Sequence, residues 1–256
     1  GMIREAVMKL GFRDMYEVSL GADFVSKNEG QELLEHYEAG EKMTTSCCPA
    51  FVSLIKKHYP QVLKYMSTTV SPMTATGRLI KAMHPDAVCV FIGPCIAKKS
   101  EVIDSITFGG ADYAMTYEEL ASMFEAKNID PEECTETLQQ GSKFGKQYSV
   151  SGGVTAAVLE TFKEANKEVD LKVKTCSGAQ ECKKALMLLK VGKLPEDFIE
   201  GMACVGGCVN GPAMLGKSRT FLKDRNGQIA KADDRGVLEN VAQYDEYGIN
   251  MTRNHQ

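Results

Sequence analysis

Cysteine is the residue type that stands out in this chain of 256 residues, which contains nine cysteines. Three short segments combine Cys with Gly or Pro: Thr-Ser-Cys-Cys-Pro at 45–49, Gly-Pro-Cys-Ile-Ala-Lys at 93–98 and Met-Ala-Cys-Val-Gly-Gly-Cys at 202–208. Thiolates are ligands for iron and zinc, and glycine lets the backbone approach a bulky group closely. Backbone amides pointing at a cluster stabilise the charge on its sulfur atoms. The pattern therefore predicts metal or redox chemistry at these segments.

The distribution of the thiols favours a cubane iron–sulfur cluster. One ligand from each of the first two segments and two from the third would supply the four thiolates of a [4Fe–4S] cluster. Such a cluster carries net negative charge, which needs donors and cations nearby when it is buried. Lys98 and Lys99 follow Cys95 directly and could meet this need.

Other interpretations of the cysteines stay open at this point. A structural zinc site normally uses paired C-x₂₋₄-C hooks, whereas here only Cys204 and Cys208 form a pair, with x₃ spacing. The adjacent Cys47 and Cys48 could form a vicinal disulfide, a strained arrangement. Four cysteines lie outside the three segments. We interpret Cys89 as a small buried hydrophobe, Cys134 as a free surface thiol, and Cys176 and Cys182 as candidate extra ligands.

Composition excludes several classes of function. Thirty basic and 34 acidic residues give a formal net charge of −4, which is not that of a polybasic nucleic-acid or membrane-surface binder. The longest apolar run, residues 87–97, is too short to span a membrane. No secretory signal is recognisable at the N-terminus, and an odd cysteine count argues against an extracellular disulfide framework. We expect a cytoplasmic protein that neither spans a membrane nor binds nucleic acid.

The order of predicted elements indicates an α/β fold with a largely parallel sheet. Strands are predicted at residues 15–24, 87–92, 113–116, 171–175 and 198–203, the second of them buried on both faces. Helices are predicted at residues 4–10, 32–41, 51–58, 72–83, 117–128, 181–191 and 233–247, with one more starting after residues 151–153. Cys95 and Cys204 each follow a predicted strand. Ligands in such folds collect at the carboxyl ends of strands, which is where these two thiols fall.

The three motifs, in this order, closely resemble those of the iron-only ([FeFe]) hydrogenases, in the C-terminal catalytic domain of the large subunit. The family motifs T-S-C-C-P, P-C-x-x-K-x-x-E and M-A-C-x-G-G-C stand here at 45–49, 94–101 and 202–208. Ser-Pro-Met at 71–73 and Ser-Gly-Gly-Val at 151–154 also look like family segments. The resemblance implies that residues 1–256 form one catalytic-type domain. It implies two lobes of mainly parallel sheet flanked by helices, with the cluster in the cleft between them.

Carried over residue by residue, the resemblance implies four cubane ligands: Cys48, Cys95, Cys204 and Cys208. Cys208 would also bridge to a di-iron unit bearing CO, cyanide and a dithiolate. Cys47 would be the first proton relay, Lys98 of the second motif would hydrogen-bond a cyanide, and Met202 would contact the di-iron unit. The implied reaction is the heterolytic cleavage or formation of H₂.

Further site residues are implied by the same family pattern. Beyond Cys47 the family passes protons through two glutamates and a serine, for which Glu29, Glu32 and Ser67 are the candidates. The i,i+3 spacing places the two glutamates on one helix face, although glutamates on helices are usually just solvated. Glu101 is the acidic residue of the second motif. The candidate cofactor contacts are Pro72, Met73, Gly152, Gly153, Gly206 and Gly207.

The sequence also departs from the family pattern. Gly93 stands where catalytic members usually have Met, and Val-Asn-Gly-Pro-Ala at 209–213 replaces a Gly-Gly-Gly-Gln-Pro run. Both changes resemble divergent branches thought to sense H₂ rather than turn it over quickly. The family also carries ferredoxin-like modules and an Ala-Pro-rich segment upstream of the first motif, and neither is found in the 44 residues here. We therefore expect a fragment of a longer protein.

Three functions follow as hypotheses. The first is an oxidoreductase of the iron-only hydrogenase type in anaerobic hydrogen metabolism, which as a slow H₂ sensor would act on a sensory partner. It would need a ferredoxin-like electron-transfer module or partner, and maturation proteins to install the di-iron unit. The second is a non-catalytic [4Fe–4S] protein of the hydrogenase-like cluster-assembly type. The third is a structural zinc protein. Cys47, Lys98 and Glu101 favour the first, because a plain cubane needs neither a relay thiol nor a cyanide partner.

Overall fold

The computed structural model describes residues 2–104, 108–133, 139–216, 223, 226–227 and 229–253. Five strands are assigned: β1 (Met43–Thr44), β2 (Val90–Ile92), β3 (Tyr113–Met115), β4 (Val173–Ser177) and β5 (Phe198–Met202). The helices that matter here are α1 (Met2–Lys9), α2 (Val18–Glu38), α3 (Pro49–His58), α4 (Pro72–Met83), α5 (Ala97–Glu101), α6 (Tyr117–Ala126), α7 (Lys143–Gln147), α8 (Gly153–Glu164) and α9 (Ala179–Lys190), followed by a last helix, Val237–Ala242. Short 3₁₀ segments lie at Pro60–Tyr65, Pro131–Glu133, Cys208–Asn210 and Asp245–Tyr247.

The strands form two separate parallel sheets. One sheet has three strands in the order β1-β5-β4, in which Met43 and Val173 both pair with Phe198. The other contains β2 and β3, with Phe91 opposite Ala114. Helices flank both sheets, because parallel strands need crossover connections that cover their faces. The predicted α/β fold, with two lobes of parallel sheet, is confirmed.

Helix α2 corrects one prediction of secondary structure. Residues 15–24 were predicted to be a strand, but residues 18–38 form one long helix that also contains most of the predicted helix at 32–41. Buried residues include the unbroken run 20–26, so the first part of α2 is enclosed on all faces and shows no helical period in its hydrophobic residues. Further along the helix, Lys27, Gln31 and Glu35 are exposed. Gly21 permits this enclosure: a Cβ there would lie 2.3 Å from the Pro72 carbonyl oxygen of α4.

Most other elements lie near their predicted positions. Pro49 and Pro72 each occupy the start of a helix, and Ser71 caps α4 by accepting the N–H of Thr74. The strand predicted at 87–92 is shorter, β2, and its side chains are half-buried rather than buried on both faces. The helix predicted at 233–247 is interrupted: the helix Val237–Ala242 precedes the 3₁₀ segment Asp245–Tyr247.

The hydrophobic core positions the loops that carry the cysteines. One cluster places Cys47 and Met202 against side chains of α2, α4 and α8. A second cluster joins α3, α9 and β5, and Cys48 packs against its edge. In the part of the chain that the structure describes, every helix is too short or too polar to cross a lipid bilayer.

Candidate metal centre

The three cysteine motifs meet in one cavity of about 1650 Å³ between the two sheets. Cys48 follows β1 at the start of α3, Cys204 follows β5, and Cys95 follows β2 of the other sheet. Cys208 begins the 3₁₀ segment after the glycine pair of the third motif. Carboxyl ends of strands from both sheets therefore supply the thiols that line this cavity, as the strand order predicted.

The four thiols lie close enough together to interact electrostatically in all six pairs. Cys48 acts on the other three, Cys95 acts on Cys204 and Cys208, and Cys204 acts on Cys208. Burial is the largest cause that raises the pKa of Cys208, to about 12, and the three neighbouring thiolates raise it further. Burial likewise raises the pKa values of Cys95 and Cys204. Four negative thiolates are therefore stable here only beside a compensating positive charge such as iron.

The donor set fits an iron–sulfur cluster. Four thiols around a shared space are the ligand chemistry of a cubane. In the described ranges, no group of three or more His, Cys, Asp or Glu side chains is placed to hold a metal ion directly. Ser149 lines the same cavity, and its buried Oγ makes no hydrogen bond within the described part of the chain. A buried hydroxyl without a partner is costly, so it indicates room for a bound polar group.

The glycines predicted to contact the cofactor instead shape the loops around it. Gly206 and Gly207 adopt positive φ of 82° and 98°, which glycine permits at no steric cost. Their N–H groups donate to Ser177 Oγ and to the Cys204 carbonyl, so these amides do not point freely into the cavity.

The second glycine pair behaves in the same way. The N–H of Gly152 donates to Glu200 and that of Gly153 to the Val150 carbonyl. The expectation that the amides of the glycine motifs are available to a cluster is thus corrected, since all four already have protein partners. A direct contact of Gly152, Gly153, Gly206 or Gly207 with a bound group stays a prediction.

Lys98 brings one positive charge to the cavity wall. Its ammonium group is paired with Glu101, which is buried, and donates to Ser71 Oγ at 2.8 Å and to the Cys47 carbonyl at 3.4 Å. Glu101 also accepts from the Thr74 hydroxyl of α4. An ammonium group has three N–H donors, so all three have acceptors here. Glu101 therefore holds Lys98 in place against the loop that carries Cys47.

Cys47 and three apolar candidates line the same cavity as the four candidate ligands. Pro72, Met73 and Met202 are buried residues of its wall. Cys47 is buried with them, and burial, followed by the charge of Glu29, raises the pKa of its thiol well above the usual value. A thiol that is hard to ionise keeps its proton near neutral pH.

Glu29, Ser67 and Glu32 form a connected network that starts near Cys47. Glu29 on α2 is fully buried and accepts the N–H of Ser46. Ser67 lies near enough to Glu29 to lower its pKa, and its hydroxyl donates to Glu32 Oε2 at 2.7 Å. Burial, with the nearby charge of Glu32, raises the pKa of Glu29 to about 8. The network leads from the cavity toward Glu32, which is half-buried.

Sequence reasoning missed Tyr148, a buried tyrosine near Cys47 and Glu29. Its ring lies in the same hydrophobic cluster as Cys47, and its hydroxyl donates to Glu29 Oε2 at 3.5 Å. The only signal in the sequence is its place three residues before the Ser-Gly-Gly segment at 151–153, which alone assigns it no role.

The remaining cysteines do not join the four. Cys176 and Cys182, the candidate extra ligands, are fully buried and hydrogen-bond each other in the core. Cys89 is buried just before β2, and its thiol faces the Gly77 carbonyl, as expected for a small core residue. Cys47 and Cys48 are both free thiols, so the vicinal disulfide is not formed. Cys134, predicted to be a surface thiol, lies outside the described residues.

Fold and site together define an α/β iron–sulfur-type protein with its thiols in a cleft between two parallel sheets. Residues 1–212 match the family "Iron only hydrogenase large subunit, C-terminal domain". The periplasmic [Fe] hydrogenase large subunit of Nitratidesulfovibrio vulgaris is 32% identical, over 84% of this chain and 63% of that protein. The chain therefore belongs to the family of the iron-only hydrogenase large subunit, C-terminal domain. It spans roughly half to two thirds of the length of the curated hydrogenases it matches.

The chain is also similar to a solved hydrogenase and to a protein with a different name. A solved [FeFe]-hydrogenase, HydA(deltaEFG), shares the fold with a TM-score of 0.77 at 23% identity, over 96% of this chain and 82% of that one. A protein of Danio rerio named cytosolic Fe-S cluster assembly factor narfl is 25% identical, over 93% of this chain and 72% of its own length. The chain is therefore similar both to hydrogenases and to a protein whose name indicates cluster assembly.

Proposed function

We propose that this chain holds a [4Fe–4S] cluster through Cys48, Cys95, Cys204 and Cys208. We further propose that it interconverts H₂ with protons and electrons when a di-iron subcluster is bound beside Cys208. The observation that carries the first proposal is the mutual proximity of all four thiols, in every pair, on one cavity wall. The second is supported by a protonated thiol, Cys47, that adjoins both this wall and a buried network of acidic and hydroxyl groups.

The chemistry that the di-iron subcluster supplies when bound is the heterolytic cleavage or formation of H₂. The residues of this chain hold and move the protons. Cys47 exchanges a proton with the bound group, and Glu29, Ser67 and Glu32 carry it between Cys47 and the surface. Pro72, Met73 and Met202 keep water away, which strengthens the electrostatic interactions of the site.

Lys98 is the residue proposed to hold an anionic ligand such as an iron-bound cyanide. Its contact with the Cys47 carbonyl, at 3.4 Å, is the longest of its three and the one that such a ligand would replace. The short contacts with Glu101 and Ser71 keep the ammonium group at the cavity wall in either state. Glu101 is thus a positioning residue for Lys98.

Electrons and assembly require other proteins. We propose that residues 1–256 act as a catalytic-type domain in the cytoplasm of an anaerobe and exchange electrons with a ferredoxin-like module or partner. Dedicated maturation proteins would install the di-iron subcluster. Gly93 and the altered residues 209–213 adjoin the cavity and suit a slow, H₂-sensing role that would act through a sensory partner.

A second candidate function is a non-catalytic [4Fe–4S] protein of the cluster-assembly type. The observation that favours it is the similarity to the protein named narfl, over 93% of this chain. The four thiols would serve the cubane equally well in that role. Cys47 and the pair of Lys98 with Glu101 argue for the hydrogenase, because a cubane alone needs neither a relay thiol nor a partner for cyanide.

Metal analysis tests the cluster. After anaerobic reconstitution we expect about four irons and four sulfides per chain. The variants Cys48→Ser and Cys204→Ser should lose most of this iron, whereas Cys89→Ser, a buried cysteine also on the cavity wall, should keep it. Zinc without iron, or equal iron in all three variants, would refute the assignment.

Infrared spectroscopy separates the two functions. After treatment with maturation enzymes, bands of metal-bound CO and cyanide together with H₂ turnover support the hydrogenase. A fully loaded cubane without these bands supports the assembly-type protein instead. In a protein that shows the bands, Cys47→Ala should leave them in place and slow H₂ turnover by about 10²-fold or more, the usual contribution of one proton-transfer group. Unchanged turnover would remove Cys47 from the proton path.

A further inference from the structure

We infer that Arg253 is a positioning residue for the loop that carries Cys48. The inference rests on the proposed function in one respect, because it takes Cys48 as a ligand of the cluster. It stands on two hydrogen bonds of the buried guanidinium group: Nε donates to the Thr69 carbonyl at 3.0 Å, and Nη2 donates to the Ser46 carbonyl. Arg253 lies outside residues 1–212, the part of the chain that matches the family.

Ser46 is hydrogen-bonded through its N–H, its hydroxyl and its carbonyl. The N–H donates to Glu29 Oε1 at 3.3 Å, the hydroxyl donates to the Thr69 carbonyl at 2.6 Å, and the carbonyl accepts from Arg253. The Thr69 carbonyl also accepts from Arg253, so Arg253, Ser46 and Thr69 close a ring of hydrogen bonds. Ser46 is fully buried and stands two positions before Cys48. Arg253 therefore helps to fix the backbone that leads into the ligand.

Arg253 is held beside this loop by pairing of the segment 249–253 with residues 68–70. The two segments form an antiparallel bridge. Two backbone hydrogen bonds flank the bridge, from the Val70 N–H to the Met251 carbonyl at 2.8 Å and from the Arg253 N–H to the Thr68 carbonyl at 2.7 Å. Apolar side chains of the segment pack against the hydrophobic cluster that contains Cys47. The backbone of Arg253 is thus fixed next to the first cysteine motif.

The guanidinium group suits this task because of its shape. Its N–H donors form a rigid planar fork, which holds two acceptors in a set geometry, whereas an ammonium group is a point charge on a flexible chain. A charged donor also makes a stronger hydrogen bond to a carbonyl than a neutral one does. Arg253 does not itself line the cavity, so it acts on the cluster through Ser46. Removing a group that orients a metal ligand typically costs about 10- to 100-fold in metal affinity.

Release of iron to a chelator tests the inference in the reconstituted protein. We expect Arg253→Gln to release iron about tenfold faster than the unaltered protein, as followed by the loss of cluster absorbance. Arg253→Lys keeps the charge but not the fork, so its rate should lie between the two. The matched control is Arg78→Gln, which should release iron at close to the unaltered rate. Arg78 is also buried, but its hydrogen bonds end on the carbonyls of Phe108, Asn250 and Thr252. Equal release from Arg253→Gln and Arg78→Gln would overturn the inference.

Hydrogen–deuterium exchange of the cluster-free chain separates this inference from the proposed function. Backbone amides in peptides that contain residues 45–48 should exchange about tenfold faster in Arg253→Gln, because the Ser46 carbonyl has lost a charged donor. Peptides of α9 are the internal reference and should be unchanged. Arg253→Lys should shift exchange at residues 45–48 in the same direction, and it carries the test if the glutamine variant does not fold.

Two results of the exchange measurement would overturn the positioning role. One is unchanged exchange at residues 45–48 in both Arg253 variants. The other is equal acceleration in the α9 peptides, which would make Arg253 a stabiliser of the whole fold rather than of this loop. Failure of the unaltered protein to take up iron would overturn only the proposed cluster, because the exchange measurement uses no metal.

Discussion

The ring of Phe91 lies directly against Gly93, two residues before the second ligand cysteine. A Cβ at Gly93 would lie 2.6 Å from Cζ of Phe91, closer than real side chains approach. Both residues line the cavity. At Gly93 this chain departs from the usual family motif. The ring of Phe91 fills the space that a side chain at this position would occupy.

Gly93→Met should therefore destabilise the protein. Overpacking of this kind costs about 1–3 kcal/mol in free energy of unfolding, measured by urea denaturation of the cluster-free chain. In a Phe91→Ala background the same substitution should cost clearly less, because the space is then free. An equal cost in both backgrounds would contradict the contact.

Removing Lys98 should leave Glu101 as a buried charge without its main partner. Loss of one member of a buried ion pair costs about 3–5 kcal/mol, so Lys98→Met should lower the urea midpoint strongly. Lys98→Met with Glu101→Gln should recover much of this loss. Lys99→Met, which removes an exposed pair with Glu119, is the control and should leave the midpoint unchanged. Comparable losses in the Lys98 and Lys99 variants would contradict this account.

Glu200 should stabilise the start of α8. One oxygen of its buried carboxylate accepts the Gly152 N–H, and the other accepts both the N–H and the hydroxyl of Thr155. In Glu200→Gln one oxygen becomes an NH₂ group that cannot accept, which should cost about 1–3 kcal/mol. Glu181→Gln, at a more exposed glutamate that accepts the Ser177 N–H, should cost less. Urea denaturation of both variants checks this order.

Glu29 should make stability depend on pH. Its pKa of about 8 lies above the ordinary value of 4.5, so the folded protein holds one proton more than the unfolded chain between these values. The free energy of unfolding should therefore fall as pH rises through this window, by up to about 1.4 kcal/mol per pH unit. Glu32 and Arg253 face Glu29, the first raising and the second lowering its pKa.

Urea denaturation at several pH values tests this dependence. Glu29→Gln should remove the contribution of Glu29 from the slope between pH 5 and 8, whereas Glu239→Gln, at an exposed glutamate, should leave the slope unchanged. A slope identical in the unaltered protein and in Glu29→Gln would show that Glu29 ionises in the folded protein as it does in the unfolded chain.

Cys176 and Cys182 should not be needed for iron. Both cysteines are free thiols that lie next to each other in the buried core, and Cys182 also donates to the Met202 carbonyl at 3.5 Å. Cys176→Ser and Cys182→Ser should each retain the iron and sulfide content of the unaltered protein after reconstitution. Loss of iron in either variant, while the protein stays folded by circular dichroism, would make that cysteine a ligand.

The sequence predicted the thiols better than it predicted the helix behind them. Cys95 and Cys204 stand near glycine or proline just after predicted strands, and Cys48 precedes Pro49, so these local signals can be read without knowledge of the fold. Helix α2 was mistaken for a strand in its first part because its surroundings, such as the contact of Gly21 with α4, come from distant segments. Tyr148 was missed for the same reason, since Glu29, which it meets in the folded protein, lies 119 positions away in the sequence.

The division of the ligands between two sheets has a mechanical consequence. Cys95 is supplied from the end of β2, whereas Cys48 and Cys204 follow strands of the other sheet, and no strand is shared between the two sheets in the described ranges. A metal cluster held by all of them would therefore act as a cross-link between the halves of the molecule, and its affinity would add to their cohesion. Oxidative loss of iron would loosen the contact between the two halves. Damage by air should therefore increase the hydrogen–deuterium exchange of backbone amides where the two halves meet.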